Sequence, residues 1–176
     1  MPLPASYQRF FRIQLRYALI MLGIGLLAGI CFQESGRKVS LEQFGPGAHL
    51  EYLLTLAMVH GHTFLMGVLL PLAMAWMLQL GLQLGAPAVP SAALTWTTAL
   101  YLPGAALSVV LMLYKGYHFV LGARYSTLDL PGLDAALYGH HAALRAGVVG
   151  LAHTAMGAGL CILVWGLWRS LGRREA

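Results

Sequence analysis

The chain has 176 residues, of which 59% are hydrophobic and only 10% charged, a balance that excludes an ordinary water-soluble domain of this size. Its formal net charge of +5 comes mostly from arginines near the two ends, which fits helix ends at lipid headgroups and not a nucleic-acid surface. Cys31 and Cys161 both lie inside apolar runs and behave there as small hydrophobes, so no disulfide framework is expected.

A membrane-spanning helix needs about 20 predominantly apolar residues, and the sequence reads as one all-α transmembrane domain of four such spans. The first covers 13–32. It is preceded by Arg9, Arg12 and Arg16 and carries Gly23, Gly25 and Gly29, which permit close helix contact. No short apolar core with a small-residue cleavage site precedes or ends it, so it is read as a retained span. The polar stretch 33–49, with Glu34, Arg37, Lys38, Glu42 and the turn-forming Gly45-Pro46-Gly47, is expected to be an extramembrane loop.

The second span covers 52–82, and Pro71 should kink it. Residues 85–90 form a tight connection, after which Ser91 can cap the third span, 92–120, with Pro103 and Gly104 interrupting it. A loop containing Arg124, Asp129, Pro131, Gly132 and Asp134 leads to the last span, 142–168. There Trp165 and Trp168 suit an interfacial aromatic belt, followed by Arg169, Arg173 and Arg174.

Four spans put both termini on one side. Six of the eleven Lys and Arg residues lie near the ends and five near the opposite loops, a weak positive-inside bias that favours cytoplasmic termini for an inner-membrane protein. On that topology all seven histidines (His49, His60, His62, His118, His140, His141 and His153) belong to the half of the bundle away from the termini. His49, His140 and His141 fall at the interface, where solvated histidines need no special role, and His118 near a helix end suits headgroup contact or a supporting role equally. His60, His62 and His153 lie roughly 10–15 Å below the starts of two spans that run in the same direction, so the three can meet at one depth.

An ionisable or metal-ligating side chain in the hydrocarbon region is by default a functional candidate, although a single such histidine is as often a helix-to-helix hydrogen bond. His60 and His62 are about 200° apart around a helix, so only one of them can face a given centre. Small residues near His60 (Ala57, Gly67) and near His153 (Gly150, Gly157) leave room for a flat macrocycle, or serve helix packing alone. Two imidazoles from facing helices would make a low-spin haem b suited to electron transfer. Arg37, Lys38, Lys115, Arg124 and Arg145 on the same side could pair with its propionates, or simply snorkel to headgroups. Met58, Met66 and Met156 would be soft ligands for copper, or apolar filler.

Several short pieces then stand in order along the chain: Leu22-Gly-Ile-Gly-Leu-Leu-Ala-Gly29 with Glu34 following, Val59-His-Gly-His-Thr-Phe-Leu-Met-Gly67, Lys115-Gly116 with Val120-Leu-Gly122, Asp134-Ala135, and Gly150-Leu-Ala-His-Thr-Ala-Met-Gly157. In these the chain resembles a small four-span bacterial family of unknown function grouped with subunit I of the haem–copper oxidases and nitric oxide reductases and with NnrS-type proteins. The resemblance implies a fold like one four-helix arc of oxidase subunit I, and His60 looks like the histidine that ligates the low-spin haem there, with Pro71 also in pattern. His60-Gly61-His62 is similar to a His-x-His pattern of NnrS-type proteins, which are associated with haem and copper. The chain departs from the oxidases in having four helices, no tyrosine-linked copper-histidine motif and too few histidines for a binuclear centre.

The first functional expectation is therefore a b-type haem protein, a candidate haem-dependent oxidoreductase with a respiratory-chain redox partner, in which His153 and either His60 or His62 ligate iron and Lys115, Arg124 and Arg145 hold the propionates. It would carry electrons or bind a small gas or quinone. The alternatives are a copper-binding assembly factor using the same histidines and a cofactor-free packing subunit. Because one arc is a third of the oxidase ring, the resemblance also implies a homo-oligomer in the bilayer, a trimer ahead of a dimer.

Overall fold

The structure, a computed structural model, describes residues 3–38, 41–125 and 129–172; Arg173 and Arg174 lie outside them. The described residues are helical, with no strand, in the order α1 (Ala5–Lys38), α2 (Leu41–Phe64), a π-helical turn (Leu65–Leu69), α3 (Leu70–Gln83), α4 (Ser91–Tyr125), α5 (Leu130–Ala136) and α6 (Ala142–Leu171). Four segments are long and apolar enough to cross a membrane: Ala5–Arg37, His49–Gln83, Ser91–Gly122 and Ala142–Leu171.

The helices run past the limits read from hydropathy. Residues 33–38 and 41–49, expected as parts of a loop, are instead the end of α1 and the start of α2. Pro46 lies near the beginning of α2, where it forfeits only the bond to the Glu42 carbonyl one turn back. At the other end α1 continues back to Ala5 because Arg9, Arg12 and Arg16 all project from its exposed face, where their long stems can lie along apolar surface. The inward stripe is Tyr7, Phe10, Gln14, Ala18 and Met21, at the 3–4 residue spacing of one helix face.

Pro71 acts on the turn before it. A proline has no N–H and its ring crowds the carbonyl four residues back, and here the helix widens into the π turn, with the Leu70 N–H donating to the Leu65 carbonyl. That shift, together with the missing Pro71 donor, leaves the Met66 carbonyl without a helical partner. The Tyr101 hydroxyl of α4 donates to it at 2.7 Å. By contrast α4 runs unbroken through Pro103, so the interruption expected at Pro103 and Gly104 does not occur.

Gly104 serves another purpose. A Cβ on it would lie 2.8 Å from the Ala152 carbonyl oxygen and the Met156 nitrogen of α6, and one on Gly159 would lie 2.8 Å from the Tyr101 nitrogen of α4. Antiparallel α4 and α6 thus touch backbone to backbone. α4 also packs on α1 and α2, whereas α6 meets little beyond α4 and the end of α3.

At the terminal end, α3 closes in a Schellman arrangement: Ala86 N–H donates to the Gly81 carbonyl at 3.0 Å and Gly85 N–H to Leu82 at 3.1 Å, with Gly85 at φ +80° where a side chain would be strained. Pro90, not Ser91, supplies the first carbonyl of α4, accepting from the Ala93 and Leu94 N–H groups. Tyr7 accepts the Val89 N–H at 2.9 Å, and the Ser170 hydroxyl donates to the Pro87 carbonyl. All four tryptophans, Trp76, Trp96, Trp165 and Trp168, project outward from this end and are at least 60% exposed, as interfacial anchors do.

Gly104→Ala or Gly159→Ala is expected to destabilise the bundle by about 1–3 kcal/mol through overpacking. Gly157→Ala, whose Cβ would meet nothing within 4 Å, should stay near the parent. Tyr101→Phe should cost about 1–3 kcal/mol by leaving a buried carbonyl unsatisfied. Thermal unfolding in detergent measures all four variants.

Candidate functional site

Toward the end away from the termini, α4 and α6 diverge, and the segment between them folds into the opening. The result is a cavity of about 630 Å³ lined by Ser108, Leu111, Met112 and Lys115 of α4, Leu137 and Tyr138 of the connection, and Ala142, Arg145, Ala146, Val149, Gly150 and His153 of α6. Its body is apolar and its charged groups stand at one end, Lys115 and Arg145, with His153 deeper along α6. A Cβ at Gly150 would meet nothing within 4 Å, so the wall beside His153 is open.

The two cations are held by one carboxylate. Asp134 of α5 lies 3.2 Å from the Lys115 ammonium and accepts a hydrogen bond from the Arg145 guanidinium, and Arg145 also reaches the Asp134 carbonyl. The bond from Arg145 lowers the Asp134 carboxyl below its usual value; partial burial opposes this and Lys115 adds to it. Two cations and one carboxylate leave this cluster with one positive charge facing the cavity.

α5 is positioned by packing against the end of α4. Leu133 is buried there and its carbonyl bonds His118 Nε2 at 3.1 Å, so His118 ties the connection to α4. The turn into α6 passes Tyr138, Gly139 and His140 at φ values of +57°, +64° and +67°. Two side-chain-bearing residues at positive φ, one on each side of a glycine, mark backbone strain at the cavity rim, and burial raises the Tyr138 hydroxyl pKa there.

The three deep histidines differ in surroundings. His153 Nδ1 meets the Val149 carbonyl at 2.9 Å, and since a carbonyl only accepts, Nδ1 carries the proton and Nε2 keeps its lone pair. The same holds for His62, whose Nδ1 donates to the Met58 carbonyl of its own helix at 2.9 Å. His60 instead donates across the bundle to the Gly25 carbonyl of α1 at 2.8 Å. Its ring sits against Gly29, where a Cβ would come within 2.9 Å, and edge-on to Phe64 at 4.8 Å between centroids.

The structure therefore brings His153, Lys115 and Arg145 to one cavity and leaves the other three expected site residues elsewhere. His60 fills the α1–α2 interface. It lies between the Leu56–Gly116 contact of α2 with α4 and the Met66–Tyr101 contact of the π turn with α4, whereas His153 is beside Gly104, nearer the terminal end; α4 stands between the helices that bear them. His62 is turned to its own helix, and Arg124 lies over the Tyr125 ring at 5.4 Å, outside the cavity lining. The space near Gly67 is taken by Met21, whose Cβ would be 2.7 Å from an added Cβ. Among the described residues no group of three or more His, Cys, Asp or Glu side chains is placed to hold a metal ion. Asp134 and Tyr138 were not among the expected site residues. The signal for Asp134 was its scarcity, as one of only six acidic residues in a chain whose basic residues need partners.

Four long apolar helices and a laterally placed cavity with a cationic end define a multi-pass membrane protein with a candidate ligand site in one half of the bundle. Residues 11–170 match the family described as Protein of unknown function (DUF2871), and the chain belongs to that family. No curated protein matches the chain, and no solved structure does.

Acid titration tests the Asp134 cluster. Because the folded-state pKa is depressed, the stability it contributes is full above the unfolded value of 3.8 and is lost as pH falls through the folded value. Stability measured downward from about pH 5 should fall less steeply in Asp134→Asn than in the parent.

Proposed function

We propose that the chain is a bacterial inner-membrane b-type haem protein with His153 as its protein ligand and Lys115 and Arg145 as partners for the propionates. The observation that carries this reading is the convergence of these three side chains on one apolar cavity. Its volume is within the range of about 300–1,000 Å³ usual for small-molecule sites. The hydrogen bond from His153 Nδ1 to the Val149 carbonyl leaves Nε2 available and fixes the ring's tautomer, as is usual for metal-bound imidazoles. Haem, when bound, supplies a one-electron centre and an open coordination position.

The chain's own residues determine which role follows. With α4 between His60 and His153, a single copy offers one histidine that would hold the group. This favours binding of a small gas over a bis-histidine electron carrier, with a quinone or a respiratory-chain redox partner as the electron source. Asp134 orients Lys115 and Arg145 at the mouth, and the apolar lining keeps water from the buried side. The arginines near both ends favour cytoplasmic termini. Assembly into a cyclic homo-oligomer, a trimer ahead of a dimer, belongs to the same reading: a neighbouring copy would cover the cavity's open flank beside the exposed His153. The copper-binding alternative has less support, because no multi-histidine cluster converges among the described residues.

The purified protein, supplied with haem during expression, should show the α and β bands of a reduced b-type haem and a shift on addition of carbon monoxide. His153→Ala should abolish haem uptake, and His60→Ala should retain it. Full haem content with an unchanged spectrum in His153→Ala would overturn the assignment, and copper without haem by elemental analysis would replace it with the assembly-factor reading.

A further inference from the structure

A second cavity lies at the opposite end of the bundle, unconnected with the histidines. It occupies about 270 Å³ on the outer seam of α1 and α4 and is lined by Ser6 and Arg9 from the start of α1, Ser91 and Thr95 from the start of α4, and apolar groups including Phe10 and Ile13. Both helices begin here, at Ala5 and Ser91, so first-turn N–H groups without intrahelical acceptors and the positive ends of two helix dipoles gather at one place.

The charge balance of this end is the second observation. The acidic residues among those described are Glu34, Glu42, Glu51, Asp129 and Asp134, all on the histidine side. Every ion pair among the described residues involves Arg37, Lys115 or Arg145 on that same side. Among the described residues, Arg9, Arg12, Arg16 and Arg169 therefore pair with no carboxylate. Of these four only Arg9 lines the cavity.

We propose that this seam binds the phosphate of an anionic glycerophospholipid. Arg9 and the Ser6 and Ser91 hydroxyls take the phosphate oxygens, and an acyl chain follows Phe10, Ile13 and Ala99 down the seam. The guanidinium suits a phosphate because its fork of donors matches two oxygens at once. The exposed tryptophans of this end put the cavity at headgroup depth, where a lipid and not a free anion has its phosphate beside an apolar groove.

Native mass spectrometry of the full chain in mild detergent tests the site, with phosphatidylglycerol, phosphatidylcholine and inorganic phosphate added separately. The expected result is one tightly held phosphatidylglycerol, weaker retention of phosphatidylcholine and no competition from inorganic phosphate. Arg9→Gln should weaken phosphatidylglycerol binding roughly tenfold. Arg12→Gln, the same charge change outside the cavity, should stay within about twofold, and Ala99→Phe should displace the lipid with no change of charge. Equal losses in Arg9→Gln and Arg12→Gln would reduce the effect to general surface charge and overturn the proposal. Displacement of the lipid by inorganic phosphate, or unchanged binding in Arg9→Gln and Ala99→Phe, would overturn it as well.

Discussion

The contact on which the rest of the molecule depends is the backbone-to-backbone approach of α4 and α6 at Gly104 and Gly159. In a bilayer there is little hydrophobic drive between helices, since lipid tails are as apolar as leucine, and association relies on close van der Waals packing. α6 has few other neighbours, so this pair of glycines holds it. The same contact produces the cavity. Helices pinned tightly at one level separate beyond it, and the α5 connection, drawn in by Asp134, Lys115 and Arg145, closes the gap from above.

α4 has a comparable position for the other half of the chain. Its Tyr101 hydroxyl completes the hydrogen bonding of the π turn, and its Leu102 carbonyl accepts from Tyr17 of α1 at 3.2 Å. Inside lipid an unmet carbonyl has no water to turn to, so a proline-induced irregularity in one helix dictates a tyrosine in another. The irregular turn and its partner residue act as one structural unit.

Much of the architecture was legible in the amino-acid sequence because apolar run length is set by bilayer thickness, a property that needs no tertiary information. The errors came where a residue type has two uses. Arginines were read as exits from the membrane, yet on α1 they ride the outer face of a continuing helix. Gly45, Pro46 and Gly47 suggested a turn and fall within a helix. Gly67 suggested space and is filled by Met21, whereas Gly150 does border an opening. Depth along each helix follows from its rise per residue, but whether His60 and His153 meet depends on which helices are neighbours, and sequence periodicity does not supply that order. The Asp134 cluster draws on residues from three helices and is equally invisible to local pattern.

The peripheral place of α6 also bears on biogenesis. Chains emerge and fold from the N-terminus onward, so α1 to α4 are available to pack before α6 exists. At that stage the Gly104 groove faces lipid, Lys115 has lost neither its charge nor its place but lacks Arg145 beside it, and there is no enclosed volume between α4 and a sixth helix. The cavity comes into being only with the final docking event. Whatever occupies it must be loaded after translation of the last span, and a chain truncated before Ala142 would retain most of its packed core while having no site at all.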